Sequence, residues 1–160
     1  MNFLRSTRTL AALRPARLGA APVAAAAGKL TLNFVLPHQV VLSKTTVQQV
    51  NLAGSSGDLG ILADHVPSIE QLKPGVVEVI IDGSQPAKKW FVSGGFAIMN
   101  PDSSLNINAV EAFALDEIDV EAVRQQSQEA ERVANGSGTE YEKAAAKAQL
   151  EVYEALQAAL

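Results

Sequence analysis

The residues whose types and spacing could support catalysis or ligand binding lie mainly in one segment. It reads Gly-Ser-Ser-Gly-Asp-Leu-Gly-Ile-Leu-Ala-Asp-His-Val-Pro, at positions 54–67. Its glycines at 54, 57 and 60 raise the question of a phosphate-binding loop. A P-loop ends in Gly-Lys-Ser/Thr, which this segment lacks, and the dinucleotide-binding fingerprint has different glycine spacing and opens a helix. We therefore interpret these glycines as turn and bulge positions within a β-sheet.

General acid–base chemistry has one candidate pair in the same segment, Asp64 and His65. Adjacent residues on an extended strand point to opposite faces, so this pair is not predicted to meet. Ser93 precedes Gly94 and Gly95 but lacks the glycine pattern of a nucleophile elbow. The sequence therefore shows no converging acid, base and electrophile groups of the kind that catalysis requires.

The composition also argues against a metal site or a bound cofactor. The chain has no cysteine, which excludes disulfides and thiolate ligands, and its only histidines are His38 and the isolated His65. We therefore expect no metal and no cofactor.

The first 27 residues differ in charge from the rest. They hold Arg5, Arg8, Arg14 and Arg17 and no acid, and the remaining chain has nine basic against 17 acidic side chains, a formal charge of −8. Such a balance argues against nucleic-acid binding. An Arg-rich, acid-free start that is partly amphipathic predicts a mitochondrial transit peptide over residues 1–27. The alternatives are a secretory signal, whose apolar run would be interrupted by Pro22, and a basic tail.

Residues 28–116 and 117–160 have different compositions. The first range contains short runs rich in Val, Thr and Ile between Gly- and Pro-containing turns, which predicts a β-sandwich or barrel. The second range is rich in Ala, Glu and Gln and predicts two antiparallel helices, about 118–134 and 139–159. Nowhere do 18 apolar residues follow one another, so no membrane-inserted helix is expected.

Local signals define how this predicted helical hairpin begins and turns. Asn135 or Gly136 would close the first helix with a positive φ, and Thr139 with Glu142 forms a capping-box pattern. The second helix shows a thin apolar stripe at helical spacing, formed by Tyr141, Ala145, Ala148, Val152, Ala155 and Ala159. The hairpin is either an ordinary packed element or an arm that docks on a partner, since it would be marginal alone.

Two motifs and the hairpin together resemble a known family. GSSGDLGILADHVPSIEQLKPGVVEV, at 54–79, and WFVSGGF, at 90–96, are similar to the signature stretches of the mitochondrial delta and bacterial epsilon subunits of F-type ATP synthases. The resemblance implies a ten-stranded β-sandwich followed by a C-terminal two-helix hairpin. It also implies a non-catalytic rotor subunit of the central stalk, at the matrix side of the mitochondrial inner membrane, that transmits torque for ATP synthesis.

The same resemblance implies partners and contact residues. The partners would be the gamma shaft, the c-ring subunits and a small mitochondrial epsilon subunit. Gly57, Asp58 and His65 would face the c ring from one end of the sandwich, and Pro67, Ser68 and Glu70 would face gamma. From the residues alone, Asp58 could equally be a solvated turn carboxylate and His65 a packing or turn-stabilising residue.

Two other functions stay open at this point. Some bacterial relatives bind ATP on the hairpin through an Ile/Leu-Asp-x-x-Arg-Ala motif, and Ile118-Asp119 begins that pattern here. Arg124 is displaced from the motif position, which weakens an ATP-sensing regulatory role. A small hydrolase built on the sandwich is the third possibility.

Overall fold

A computed structural model describes residues 28–160, which form ten strands followed by a 3₁₀ turn and two helices. The transit-peptide prediction for residues 1–27 lies outside the described residues. The strands are β1 (Leu30–Val35), β2 (Val40–Val47), β3 (Gln49–Gly54), β4 (Gly57–Leu62), β5 (Ser68–Leu72), β6 (Gly75–Ile80), β7 (Lys88–Val92), β8 (Gly95–Met99), β9 (Ser104–Ala109) and β10 (Ala112–Ala114). After the 3₁₀ turn (Leu115–Glu117) come α1 (Val120–Ala134) and α2 (Glu140–Ala159).

The strands bury every second residue, as a sheet with one covered face requires. In β1, Leu30, Leu32 and Phe34 are buried while the residues between them are partly exposed. Strands β3, β6, β8 and β9 alternate in the same way, whereas β2 is buried only at Val47. Most of the buried residues join one core. Burial of these side chains is the main driving force for this part of the fold.

The ten strands form one folded sheet with the order β10-β7-β6-β3-β5-β8-β9-β1-β2, and β4 pairs with β3 outside this path. Strand β3 is the branch point: it pairs with β6 through residues 49–51 and with β5 only at Gly54 and Leu72. The sheet bends there into two layers, one holding β4, β3, β6, β7 and β10 and the other β5, β8, β9, β1 and β2. This confirms the expected ten-stranded sandwich.

The strand register gives the sandwich two ends. Pairing aligns Gly54 with Gly57 and Leu72, and Leu72 with Gly95, so the connections 36–39, 55–56, 73–74 and 93–94 share one end. We call this the Asp58 end. The connections 63–67, 81–87 and 100–103 lie at the other end, which we call the His65 end.

Both helices begin at side-chain caps. Asp119 accepts hydrogen bonds from the backbone N–H groups of Glu121 (2.9 Å) and Ala122 (3.2 Å). At α2, Glu142 N–H donates to Thr139 Oγ1 at 3.3 Å and Thr139 N–H donates to Glu142 Oε2 at 2.7 Å, which confirms the capping box. The prediction that α1 ends at a residue with positive φ is wrong, because Asn135 has φ −98°. Instead, Gly136 N–H donates to Val133 O at 3.1 Å, which tightens the last turn.

The hairpin packs against the outer face of the β6–β7 layer. Phe91 of β7 forms a buried cluster with Val123 of α1 and Leu156 of α2, and residues from the 3₁₀ turn complete it. Hydrophobic contact with the sandwich therefore supplies the stability that the hairpin would lack in isolation. Among the described residues, no helix is long and apolar enough to cross a membrane.

The predicted stripe on α2 is partly wrong. Tyr141 is 83% exposed, and Ala145 and Ala148 are exposed, while Ala146 is the buried residue of this half of the helix. The C-terminal half matches the prediction, because Val152, Ala155 and Ala159 pack against the Phe91 cluster. The face of α2 that contacts α1 differs from the face that contacts the sandwich, so one straight stripe could not describe both.

Candidate functional site

Asp58 lies beside the turn that joins β3 to β4 and is strongly exposed. Its side chain keeps 85% of its accessible surface, and its Oδ1 lies 3.6 Å from Lys73 Nζ. The preceding Gly57 has φ +134°, a conformation that favours glycine over other residues. An ion pair between two exposed side chains contributes little stability, so this carboxylate remains available to a partner.

The turn beside Asp58 is held firmly by the neighbouring segment 70–73. Ser55 N–H donates to Gln71 O at 2.8 Å, and Lys73 N–H donates to Ala53 O at 3.1 Å. Ser56 Oγ adds a hydrogen bond of 2.8 Å to Glu70 Oε2. The turn therefore projects from the sandwich as a braced element, and Glu70 is one of the residues that brace it.

Asp58 and His65 lie at opposite ends of β4, so the expectation that they share one end of the sandwich is wrong. Asp58 pairs with Ala53 beside the turn, whereas Leu62 pairs with Gln49 at the far end of the hairpin. His65 N–H bonds to Leu62 O at 3.3 Å and so stays at that far end. Four strand steps of about 3.3 Å separate Asp58 from Leu62, a distance of ~13 Å.

Gly57 and Gly60 both lie in strand β4, in line with the interpretation of these glycines as positions within a β-sheet. Residues 57–62 form a strand, and its Ile61 is buried in the core. Leu59 and Ile61 alternate with polar or small residues in the sequence, which was the available signal for a strand.

At the His65 end, Asp64 and Ser103 hold two loops together. Both have positive φ, +59° and +57°, and Ser103 Oγ accepts from Asp64 N–H (3.0 Å) while donating to Asp64 Oδ1 (2.9 Å). His65 Nδ1 lies 2.9 Å from Val66 O and donates there in the tautomer that is protonated at Nδ1. Asp64 and His65 thus use their side chains for local loop contacts. Pro67 ends this loop, and Ser68 begins β5 at the same end.

A groove of about 500 Å³ lies between the outer face of β3, β4 and β6 and the end of α2. Its polar lining includes Asn51, Glu78 and Lys89. Asn51 Nδ2 donates to Glu78 Oε2 (2.8 Å), and Asn51 Oδ1 accepts from Gln49 Nε2 (2.6 Å) beside the groove. Lys89 Nζ lies 3.3 Å from Glu78 Oε1. The hydrogen bond from Asn51, aided by Lys89, lowers the pKa of Glu78 against the opposing effect of partial burial.

Within residues 28–160, no three His, Asp or Glu side chains are grouped closely enough to hold a metal ion. No polar or charged residue of this range is buried. The arrangement at both ends is one of exposed polar groups on braced turns, which is suited to contact with another macromolecule.

Comparison with known proteins identifies the family. The family described as "ATP synthase, Delta/Epsilon chain, beta-sandwich domain" matches residues 29–114, which include both ends of the sandwich. This chain belongs to that delta/epsilon family of ATP synthase subunits.

Its similarity to individual relatives shows which branch of the family the chain belongs to. The mitochondrial ATP synthase subunit delta of Agaricus bisporus is 56% identical over 133 residues, which cover 82% of this chain and 80% of the relative. That of Neurospora crassa is 47% identical over 165 residues, which cover 100% of this chain and 99% of the relative. Within the family, the chain therefore belongs with the mitochondrial delta subunits.

Solved structures agree with this assignment. A cryo-EM structure of the Euglena gracilis mitochondrial ATP synthase with its c ring contains a chain that matches with a TM-score of 0.76 and 30% identity. The match covers 82% of this chain and 81% of that chain. A chain of the Tetrahymena thermophila central stalk and c ring matches with a TM-score of 0.56 and 18% identity, over 81% of this chain and 96% of that chain, which supports the fold alone.

Proposed function

We propose that this chain is a non-catalytic rotor subunit of the central stalk of the mitochondrial ATP synthase. It links the gamma shaft to the c ring on the matrix side of the inner membrane and transmits torque for ATP synthesis. The main support for this proposal is the turn beside Asp58, which is exposed and held in place by hydrogen bonds. Its four interactions with segment 70–73 give the sandwich a projecting contact that resists displacement.

Torque transmission requires a body that does not deform under load. The two layers share one closely packed core, and such interiors have low compressibility. Phe91 and the hairpin residues around it add a second buried cluster that fixes the helices to the sandwich. The Euglena relative supports a place beside the c ring, because its chain is 30% identical and belongs to an assembly that includes a c ring.

The two ends of the sandwich suggest how the partners are arranged. Gly57 and Asp58 would contact the polar loops of the c-ring subunits. His65, Pro67 and Ser68 lie at the other end and would point away from the ring, towards gamma or the small epsilon subunit. Glu70 lies between these groups and supports the Asp58 turn through Ser56.

The alternative, an ATP-sensing subunit, has less support from the hairpin. Arg132 is held by Glu129 through two hydrogen bonds of 2.6 and 3.0 Å, and Arg124 lies 3.9 Å from Glu121. Acidic residues also occupy the first turn of each helix, where they repel a triphosphate. Calorimetric titration with Mg-ATP tests this directly, and saturable binding that is lost in Arg124→Ala or Arg132→Ala would favour the alternative.

A cysteine pair tests the proposed ring contact. The chain has no cysteine of its own, so Asp58→Cys gives a single reactive site. We expect it to form a disulfide with a cysteine placed in the polar loop of a c subunit in assembled enzyme. His65→Cys is the matched control at the opposite end and should form none. A cross-link from position 65 and not from position 58 would contradict the proposed orientation.

A further inference from the structure

The connection between the two helices contains a sequence with its own covalent chemistry, Asn135-Gly136. An asparagine side chain can be attacked by the backbone nitrogen of the residue that follows it. Glycine hinders this attack least, because it has no side chain and its backbone is the most freely rotating. Asn135 is the only asparagine of the chain that is followed by glycine. This pair is therefore the position where the sequence favours loss of a side-chain amide most strongly.

Exposure to water also favours the reaction at this pair. Asn135, Gly136 and the residues that follow them through Glu142 are all exposed. The asparagines in the strands precede residues with side chains, and Asn100 precedes Pro101, which has no backbone N–H to lose. The intrinsic chemistry and the access of water thus coincide only at the turn between the helices.

The geometry at the end of α1 holds this reaction back in the folded protein. Asn135 has ψ −2°, which places the nitrogen of Gly136 over the backbone nitrogen of Asn135 and away from the side chain. Gly136 N–H donates to Val133 O at 3.1 Å, and Asn135 N–H donates to Glu131 O at 3.1 Å. Before the Gly136 nitrogen can attack, its hydrogen bond must break and the peptide group must rotate.

We propose that Asn135-Gly136 is a site of spontaneous deamidation whose rate is set by opening of the last turn of α1. When this turn opens, the Gly136 nitrogen loses its proton and attacks Cγ of Asn135. A new nitrogen–carbon bond forms, and the side-chain nitrogen takes up a proton and leaves as ammonia. Water then opens the cyclic imide at either carbonyl, which leaves aspartate or isoaspartate at position 135.

Both products weaken the end of α1. A carboxylate at position 135 lies at the negative end of the helix dipole, where an anion is unfavourable. Isoaspartate also adds a methylene group to the backbone and displaces Gly136 from its hydrogen bond with Val133 O. The reaction therefore loosens the connection that holds the two helices of the hairpin side by side.

The test follows the tryptic peptide of residues 133–143, in which Asn135 is the only side-chain amide. The protein is incubated at mildly alkaline pH, folded or in urea, and the aspartate and isoaspartate forms are quantified by chromatography and mass spectrometry. Both forms should accumulate in the folded protein, more slowly than in urea. Gly136→Ala should suppress them in both conditions. Its added Cβ would lie 3.0 Å from Arg132 O, so the measurement in urea keeps the chemical test independent of folding.

A pair of glycine substitutions tests control by the last turn. Glu131 is exposed in the last turn of α1, and Glu121 is exposed in the first turn of the same helix. Glu131→Gly should raise the rate in the folded protein about fivefold, the helix-propensity cost of a glycine expressed as an equilibrium constant. Glu121→Gly is the matched control and should leave the rate unchanged.

The outcomes that would overturn this inference concern its two parts separately. If the folded protein stays unmodified while the protein in urea converts completely, or if Gly136→Ala in urea converts as fast as the wild type, the assigned modification site is wrong. If Glu131→Gly reacts no faster than Glu121→Gly, the last turn does not control the rate.

Discussion

The Phe34 ring meets the Trp90 ring edge to face across the interior of the sandwich, with centroids 5.7 Å apart and planes at 89°. Phe34 belongs to β1 in one layer and Trp90 to β7 in the other, so this contact joins the two layers directly. Phe34 is fully buried, and edge-to-face aromatic pairs add stability beyond the area they bury. The proposed transmission of torque would depend on contacts of this kind between the two layers.

Replacing Phe34 by Ala should lower the free energy of unfolding by about 3–5 kcal/mol, through lost burial and the cavity left behind. Phe34→Leu retains most of the volume and should cost less than about 1.5 kcal/mol. Trp90 is the only tryptophan, so denaturation followed by its fluorescence reports on this site. Equal midpoints for the Ala and Leu variants would contradict the predicted contribution of side-chain volume at position 34.

The second prediction concerns the contact that attaches the hairpin to the sandwich. Phe91→Ala should open the contact with Val123 and Leu156, and tryptic cleavage after Arg124 and Arg132 should become faster. Phe113 pairs with Phe91 on the neighbouring strand but is 53% exposed, which makes Phe113→Ala the control. A hairpin that resists trypsin equally in both variants would mean that Phe91 does not hold it.

Local features of this fold could be predicted from the sequence because their partners are close along the chain. Thr139 and Glu142 are three residues apart, and their capping box forms as expected. The alternation of Leu30, Leu32 and Phe34 with polar residues is likewise a local pattern, typical of a strand with one buried face. The family motifs then supplied the number of strands, which periodicity alone left as a sandwich or barrel.

Relationships that depend on strand register could not be predicted in this way. Asp58 and His65 stand seven positions apart in one motif, and only the pairing of β4 with β3 shows that they lie at opposite ends. The outer face of β5, β8 and β9 is a stronger example, because Ile69, Phe96 and Asn108 come from three separated segments. Pairing between distant strands determines which side chains share a surface.

The consecutive glycines at 94 and 95 differ in what they would tolerate. Both have positive φ, +150° and +145°. A Cβ at Gly95 would overlap the carbonyl oxygen of Asn108 and lie 2.8 Å from the Cα of Ala109, whereas a Cβ at Gly94 would lie 3.5 Å from Leu72 O, an ordinary contact. We expect Gly95→Ala to cost about 3 kcal/mol or more and Gly94→Ala only about 1–2 kcal/mol. Denaturant midpoints that rank the two variants in the opposite order would refute this.

The predicted transit peptide, residues 1–27, can be tested by mitochondrial import of substitution variants. Replacing Arg5 and Arg8 by Glu removes the acid-free, positively charged character on which the prediction depends. Import into isolated mitochondria should then fail, while replacement of both residues by Lys should preserve it. Efficient import of the Glu variant would show that these two arginines are not part of the targeting signal.

The network around Glu78 predicts a specific dependence on pH. Asn51, and secondarily Lys89, hold the pKa of Glu78 below its ordinary value of 4.5. The folded state therefore favours the carboxylate more than the unfolded state does. The resulting stability is present above pH 4.5 and is lost as the pH falls through the lowered pKa.

Asn51→Ala removes the largest cause of this shift, so the pKa of Glu78 should rise towards 4.5. The stability difference between pH 6 and pH 3 should then shrink. Side-chain carboxyl resonances followed by NMR titration measure the pKa directly. Asp102 is the internal control, because its pKa is lowered by Ser104 in a different loop and should not move. An unchanged titration of Glu78 in the Asn51→Ala variant would show that Lys89 alone sets its pKa.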